Sequence, residues 1–245
     1  MHEIHVVRYD RTDPRLGRHV HHDSRSLAHE FLPRDATPKK RNSFWDSGTG
    51  PLNQGDVGSC TGNATAQWLN TNFADAVRDK THRGKYLTET DAVDIYSLGT
   101  KLDHAEGTYP PDDTGCSGIF VAKAGEKLGY LDSYKHTFSF KATQAAIELT
   151  PAIQGSLWTN TMFKPHNGLV KIGRLTDSNI AGGHEYLMCG IDWTEDVFIF
   201  RNSWGDQDAW KGCKPGGYFA ISFNDEQELL ANQGDVTILH GKGQP

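Results

Sequence analysis

The sequence has no long hydrophobic run. No stretch approaches the roughly 20 apolar residues that a membrane-spanning helix needs, so no membrane partner is expected. The opening residues Met1-His2-Glu3-Ile4-His5-Val6-Val7-Arg8 also lack the apolar centre of a secretory signal. That leads to an expectation of a cytoplasmic chain, with phage association or non-classical export as the other settings. Basic excess is missing too: 25 Lys+Arg stand against 31 Asp+Glu, for a formal net charge of -6. Without a long basic run, DNA and RNA are not expected as ligands. Only four cysteines occur in 245 residues, at positions 60, 116, 189 and 213. They are too scattered for a disulfide framework and lack the close pairing of a zinc site. The cluster His19-Val20-His21-His22 has no convincing set of partner ligands, and His184-Glu185 does not continue to a second histidine at zinc-peptidase spacing. Neither a metal nor another cofactor is expected.

What is present is a globular composition, 36% hydrophobic and 23% charged, with 26 glycines for turns. A chain of this length suits one large unit or two packed lobes. Residues 1–43 are rich in charge and histidine and have little periodicity, so they are expected to form a polar N-terminal arm before a folded region at 44–245. Lys39-Lys40-Arg41 then reads as a solvated linker and a nicking site for added protease near Arg41. From Cys60, residues Ala66, Leu69, Phe73 and Val77 recur at helical spacing, which predicts a helix that starts at Cys60 and carries these residues on one face. Further helices are expected over 88–102 and over 119–128, the latter stopped by Gly129. After Pro151 the texture changes to short apolar runs at 186–191, 197–200 and 217–223, which read as strands. Helices followed by strands, without βαβ alternation, predict an α+β fold of two lobes with a cleft between them.

Three segments carry chemistry together that none carries alone: Gln54-Gly55-Asp56-Val57-Gly58-Ser59-Cys60, Gly182-Gly183-His184-Glu185-Tyr186 and Arg201-Asn202-Ser203-Trp204-Gly205. A cysteine at a helix N-terminus beside an imidazolium has its thiol pKa lowered toward the reactive thiolate. Acyl transfer further needs a base that later protonates the leaving group, a residue that orients that base, and donors for the oxyanion. Gln54, six residues before Cys60 across a glycine-rich turn, is placed to join the Cys60 backbone N–H as such a donor.

In this order the segments resemble the papain-like (C1) cysteine peptidases, in style closest to bacterial or phage members. Gln54 and Cys60 match the family's Gln, five residues, Cys pattern. Gly183-His184 and Asn202-Ser203-Trp204-Gly205 match its histidine and asparagine segments. The resemblance spans about residues 50 to 223. It implies a helical left lobe and an antiparallel β right lobe, with Cys60 and His184 facing across the cleft, Asn202 orienting His184, and Trp204 shielding that pair. It also suggests Gly115, Gly183 and Trp204 as substrate contacts. Val57 and Thr61 depart from the family pattern, as does the stretch between Gly205 and Gly216. The arm is shorter than the family's helical propeptide, and zymogen control of that type is not expected. The implied activity is hydrolysis of a peptide or protein substrate through an acyl-enzyme thioester. The alternatives are a catalytically silent papain-fold module, such as a phage particle component, and a thiol amidase or transpeptidase acting on cell-wall crosslinks.

Overall fold

The structure, a computed structural model, describes residues 3–31, 37–103, 105–206, 210–214 and 216–244. Its helical layer contains α1 (Cys60–Leu69), α2 (Asp75–Thr81), α3 (Glu89–Leu102) and α4 (Gly118–Lys127). Thr88 caps α3 in a capping box with Asp91, which satisfies donors that the first helical turn leaves open. Gly129, at φ +80, ends α4 by letting Tyr130 N–H reach back to the Gly125 carbonyl at 2.9 Å.

The first helix is shorter than its apolar spacing predicts. Asn70 turns its side chain onto the Leu87 backbone, donating to the carbonyl at 2.9 Å and accepting from the N–H at 2.8 Å. The chain bends there and α2 starts afresh at Asp75. Phe73 and Val77 still pack against the α1 core, so the periodicity identified the buried face but could not show the break.

The second layer is a sheet built from β4 (Leu131–Thr137), β5 (Ala152–Thr159), β6 (Leu169–Val170), β7 (Ile180–Asp192), β8 (Val197–Arg201), β9 (Tyr218–Ser222) and β10 (Asp235–Gly241). The strand order is β4-β10-β5-β7-β8-β9-β6, with β3 (Ser43–Phe44) added against β7. The pairs are antiparallel except β6 with β9. Helices α5 (Phe140–Ile147) and α6 (Phe223–Ala231) complete the fold.

The long strand β7 divides two cores by its alternation, since successive side chains point to opposite faces. Leu187 and Cys189 join the core shared with α1, α3 and α4. Tyr186 and Met188 join a second, aromatic core with Trp158, Phe198, Phe200 and Phe219. His184 and Glu185 therefore face opposite lobes, although they are adjacent in sequence.

The N-terminal region packs more deeply than a solvated arm would. β1 (Ile4–Val7) and β2 (Val20–Asp23) form a hairpin, while Leu16, Arg18 and Val20 are fully buried. The Lys39 and Arg41 side chains are exposed, yet both backbone N–H groups donate to the Glu148 carboxylate, at 2.8 and 3.0 Å. The linker is thus tied to α5.

Candidate active site

Cys60 is the first residue of α1 and is fully buried. The backbone N–H groups of Glu185, Gly17 and Thr61 lie close enough to its thiol to favour the thiolate. The sulfur therefore sits where α1, β7 and the N-terminal segment meet.

His184 is also fully buried, and its Nε2 lies 2.8 Å from Asn202 Oδ1. The same oxygen accepts the Ser203 backbone N–H at 2.8 Å, which fixes the amide orientation, because an amide nitrogen cannot accept there. The His184 proton must then sit on Nε2 and donate to Asn202. Nδ1 is left as a lone pair with no hydrogen-bond partner. Trp204 stacks on the His184 ring at 4.7 Å between centroids, and Trp158 meets it edge-on at 5.0 Å. Both exclude water from the His184–Asn202 bond.

Gln54 is held rigidly. Its Oε1 accepts from Ser203 Oγ at 2.6 Å, and its Nε2 donates to the Val57 carbonyl at 2.7 Å and the Arg15 carbonyl at 3.1 Å. Ser203 thus links the Gln54 and Asn202 segments. The Gln54 amide nitrogen thus already carries two carbonyl oxygens, and that of Arg15, which comes from outside the Gln54–Cys60 loop, is the kind of group an oxyanion-hole donor would bind.

That carbonyl belongs to a strap, residues 12–19, that crosses the cleft. Thr12 N–H donates to the Ala181 carbonyl at 2.9 Å and Arg18 N–H to the Gly183 carbonyl at 3.0 Å. Cys116 donates its N–H to Gly17 at 2.8 Å and accepts from His19 N–H at 2.8 Å. Gly17 meets Gly183, and Arg18 meets Cys116, in parallel bridges. Gly115, at φ +79, approaches so closely that a Cβ would lie 2.4 Å from the Gly17 carbonyl oxygen, and one on Gly183 would lie 2.3 Å from that of Arg18. Both glycines suggested as substrate contacts therefore line the strap, while Trp204 touches it through the Arg15 guanidinium, 4.3 Å above the ring.

Burial decides the electrostatics of this closed state. It pushes the Cys60 thiol up to about 12, and the neighbouring Glu185 carboxyl adds to that push. It pulls His184 down to about 4, against the opposing hydrogen bond to Asn202. Thiol and imidazole are both neutral, the reverse of the thiolate expected from the helix terminus. The difference is burial, which removes the water that would solvate an ion pair.

Several residues that shape the cleft gave no sequence signal. Asp113 accepts from Gly58 N–H at 2.9 Å, Tyr96 Oη–H at 2.6 Å and Arg11 at 2.9 Å, tying the loop before Cys60 to α3 and to the residue that precedes the strap. Cys116 supplies backbone pairing, which its side chain does not advertise. The stretch after Gly205 includes residues 207–209, which lie outside the described residues. Among the described residues, no cluster of three His, Cys, Asp or Glu side chains is placed to hold a metal ion, and Cys60, Cys116, Cys189 and Cys213 are all free thiols.

No protein-family model matches the sequence, and no curated protein matches it. Solved structures do. Xylellain, a cysteine protease from Xylella fastidiosa, is 17% identical, with 86% of this chain and 90% of that chain covered at a TM-score of 0.64. Digestive procathepsin L 3 from the larval midgut of Tenebrio molitor is 14% identical, with 86% and 74% covered at 0.56. The cysteine protease CMS1MS2 of Carica candamarcensis is 15% identical, with 78% and 92% covered at 0.50. The chain therefore has the papain-like cysteine protease fold, an α+β architecture of helices against a mainly antiparallel sheet.

Proposed function

We propose that the chain is a cysteine endopeptidase, with Cys60 as nucleophile, His184 as base and acid, Asn202 as the orienting residue and Gln54 as an oxyanion donor, and that residues 12–19 hold it closed. The observation that carries this reading is the His184 tautomer. With the Nε2 proton held by Asn202, Nδ1 keeps a lone pair that no hydrogen bond occupies, which is the form a general base needs.

Once the strap leaves, Nδ1 takes the Cys60 proton and the sulfur attacks the substrate carbonyl. The oxyanion is received by the Gln54 N–H released from Arg15 and by the Cys60 backbone N–H. His184 returns the proton to the departing amine, and water, deprotonated by the same Nδ1, hydrolyses the thioester. Water exclusion by Trp158 and Trp204 strengthens each of these polar steps.

Incubating the full chain and a strap-loosened variant with a defined peptide mixture tests the reading. Cleavage is expected to rise on loosening and to vanish with Cys60→Ala. An opened protein whose Cys60 is reactive yet cleaves no peptide would leave the silent module or an amidase with a different substrate.

A further inference from the structure

The side chain of Arg18 is completely buried, an unusual place for a guanidinium on a segment that must move. Three strands build its pocket. Register places Asp235 of β10 opposite Gly155 of β5, and Gly155 opposite Glu185 of β7. Cross-strand partners share a face, so two carboxyl groups flank a residue with no side chain. A Cβ on Gly155 would lie 2.4 Å from Arg18 Nε and 2.7 Å from Glu185 Oε2. The gap in the row is filled by the guanidinium, whose Nη2 pairs with Asp235 and donates to the Gln233 carbonyl at 2.7 Å.

The fit is incomplete in an informative way. Arg18 Nε and Nη1 and both Glu185 oxygens are buried without a hydrogen-bond partner, so donors and acceptors of matching sign lie on the two sides of one site. Burial alone would lower the Arg18 pKa, but the neighbouring acidic groups, Asp235 first and Glu185 after it, outweigh it and keep the guanidinium protonated. Burial pushes Glu185 well up, helped by Asp235 and opposed by Arg18. Asp235 thus faces the guanidinium as its ion-pair partner, while Glu185 lines the other side of the site.

We propose that the Asp235–Gly155–Glu185 row is a specificity pocket that selects arginine from an extended peptide, and that the strap occupies it as an internal stand-in for substrate. This rests on the peptidase reading above. The backbone groups that hold Gly17, Arg18 and His19, namely the Gly183 carbonyl and the Cys116 N–H and carbonyl, are the kind an added peptide strand satisfies as well as an internal one. An apolar side chain in the pocket would leave the Asp235 charge facing it unpaired, a cost that rejects it. A lysine lacks the planar fork that reaches both ends of the row. The substrate class is thus peptides with arginine at one fixed position beside the cut.

The experiment uses the full chain carrying Arg18→Met, which removes the internal guanidinium. Cys60 should alkylate faster than in the unaltered protein. A blocked pentapeptide with the sequence of residues 16–20 should protect Cys60 at a concentration on the order of 10²-fold lower than its counterpart with citrulline, the neutral isostere, in place of arginine. Asp235→Asn should erase most of that difference, and Glu185→Gln part of it. Peptides cleaved by the same protein should share arginine at one position, with the same loss in Asp235→Asn. Equal protection by the two peptides, or a preference that survives Asp235→Asn, overturns the pocket. Should Asp235→Asn unfold, the arginine-to-citrulline ratio in Arg18→Met alone still decides. Protection that favours arginine without any cleavage retires the peptidase reading and leaves the pocket; cleavage without arginine preference does the opposite.

Discussion

A methyl group on Gly17 would sit 1.9 Å from the carbonyl oxygen of Gly58: the strap lies closer to the loop before Cys60 than any side chain permits. Because the obstacle is backbone, rotamer changes cannot relieve it. Gly17→Ala should weaken the closed state by about 1–3 kcal/mol, typical of overpacking. Peptide mass mapping after alkylation near neutral pH reads the result. In the unaltered protein Cys213, the only one of the four cysteines that is not fully buried, should react ahead of Cys60, and in Gly17→Ala the order should reverse. An unchanged order would mean that the strap does not guard the thiol.

Asn202→Ala removes the acceptor of the His184 Nε2 proton. In a strap-loosened protein kcat should fall by about 10- to 150-fold, the worth of a hydrogen bond to a group that becomes charged, with KM little altered, because orientation of His184 matters mainly in the transition state. Full turnover by this variant would remove Asn202 from the mechanism.

Gln54→Ala is expected to separate two measurements. It releases the Arg15 carbonyl from its 3.1 Å hydrogen bond, so Cys60 alkylation should quicken. The same change removes an oxyanion donor, so kcat should drop by about 10²- to 10³-fold. A protein that gains reactivity and keeps its turnover would place the oxyanion hole elsewhere.

Acid should open the cleft. His19 of the strap and His184 beneath it are both held down at about 4, chiefly by burial. His19 faces Arg8, Arg11, Arg18 and the Thr114 backbone, while His184 faces Asn202, Arg15 and Asp13. In the open state both rings regain water and titrate nearer 6.5. A depressed pKa in the closed state means that closure is fully supported above about 6.5 and is lost as pH falls toward 4, at about 1.4 kcal/mol for each unit of pKa difference. Hydrogen exchange at the Arg18 and His19 amides, corrected for intrinsic rates, should show protection falling across that window. Constant protection would show that neither ring drives opening.

The proposed catalytic residues were legible because each sits in a local pattern: Cys60 at a helix start, His184 after two glycines, Asn202 before Ser203-Trp204-Gly205. Helix α3 was legible through its capping residue and period. Strands β4, β5 and β10 were not singled out, because little in their local composition separates them from the helices and turns around them. The early residues misled for a physical reason. Arg11, Arg15, Arg18 and His19 look like solvated surface when counted by polarity, yet each finds a partner that is distant in sequence.

By itself the sequence determined the fold class and the order of Cys60, His184 and Asn202, because periodicity, capping and short motifs act over a few residues. Only the tertiary structure decided that the cleft is closed and that it holds an arginine. Asp235, Gly155 and Glu185 stand on three strands and become neighbours only through sheet register. The protonation of Cys60 and His184 likewise follows from burial beneath residues more than 40 positions away along the chain, a distance over which no local pattern carries information.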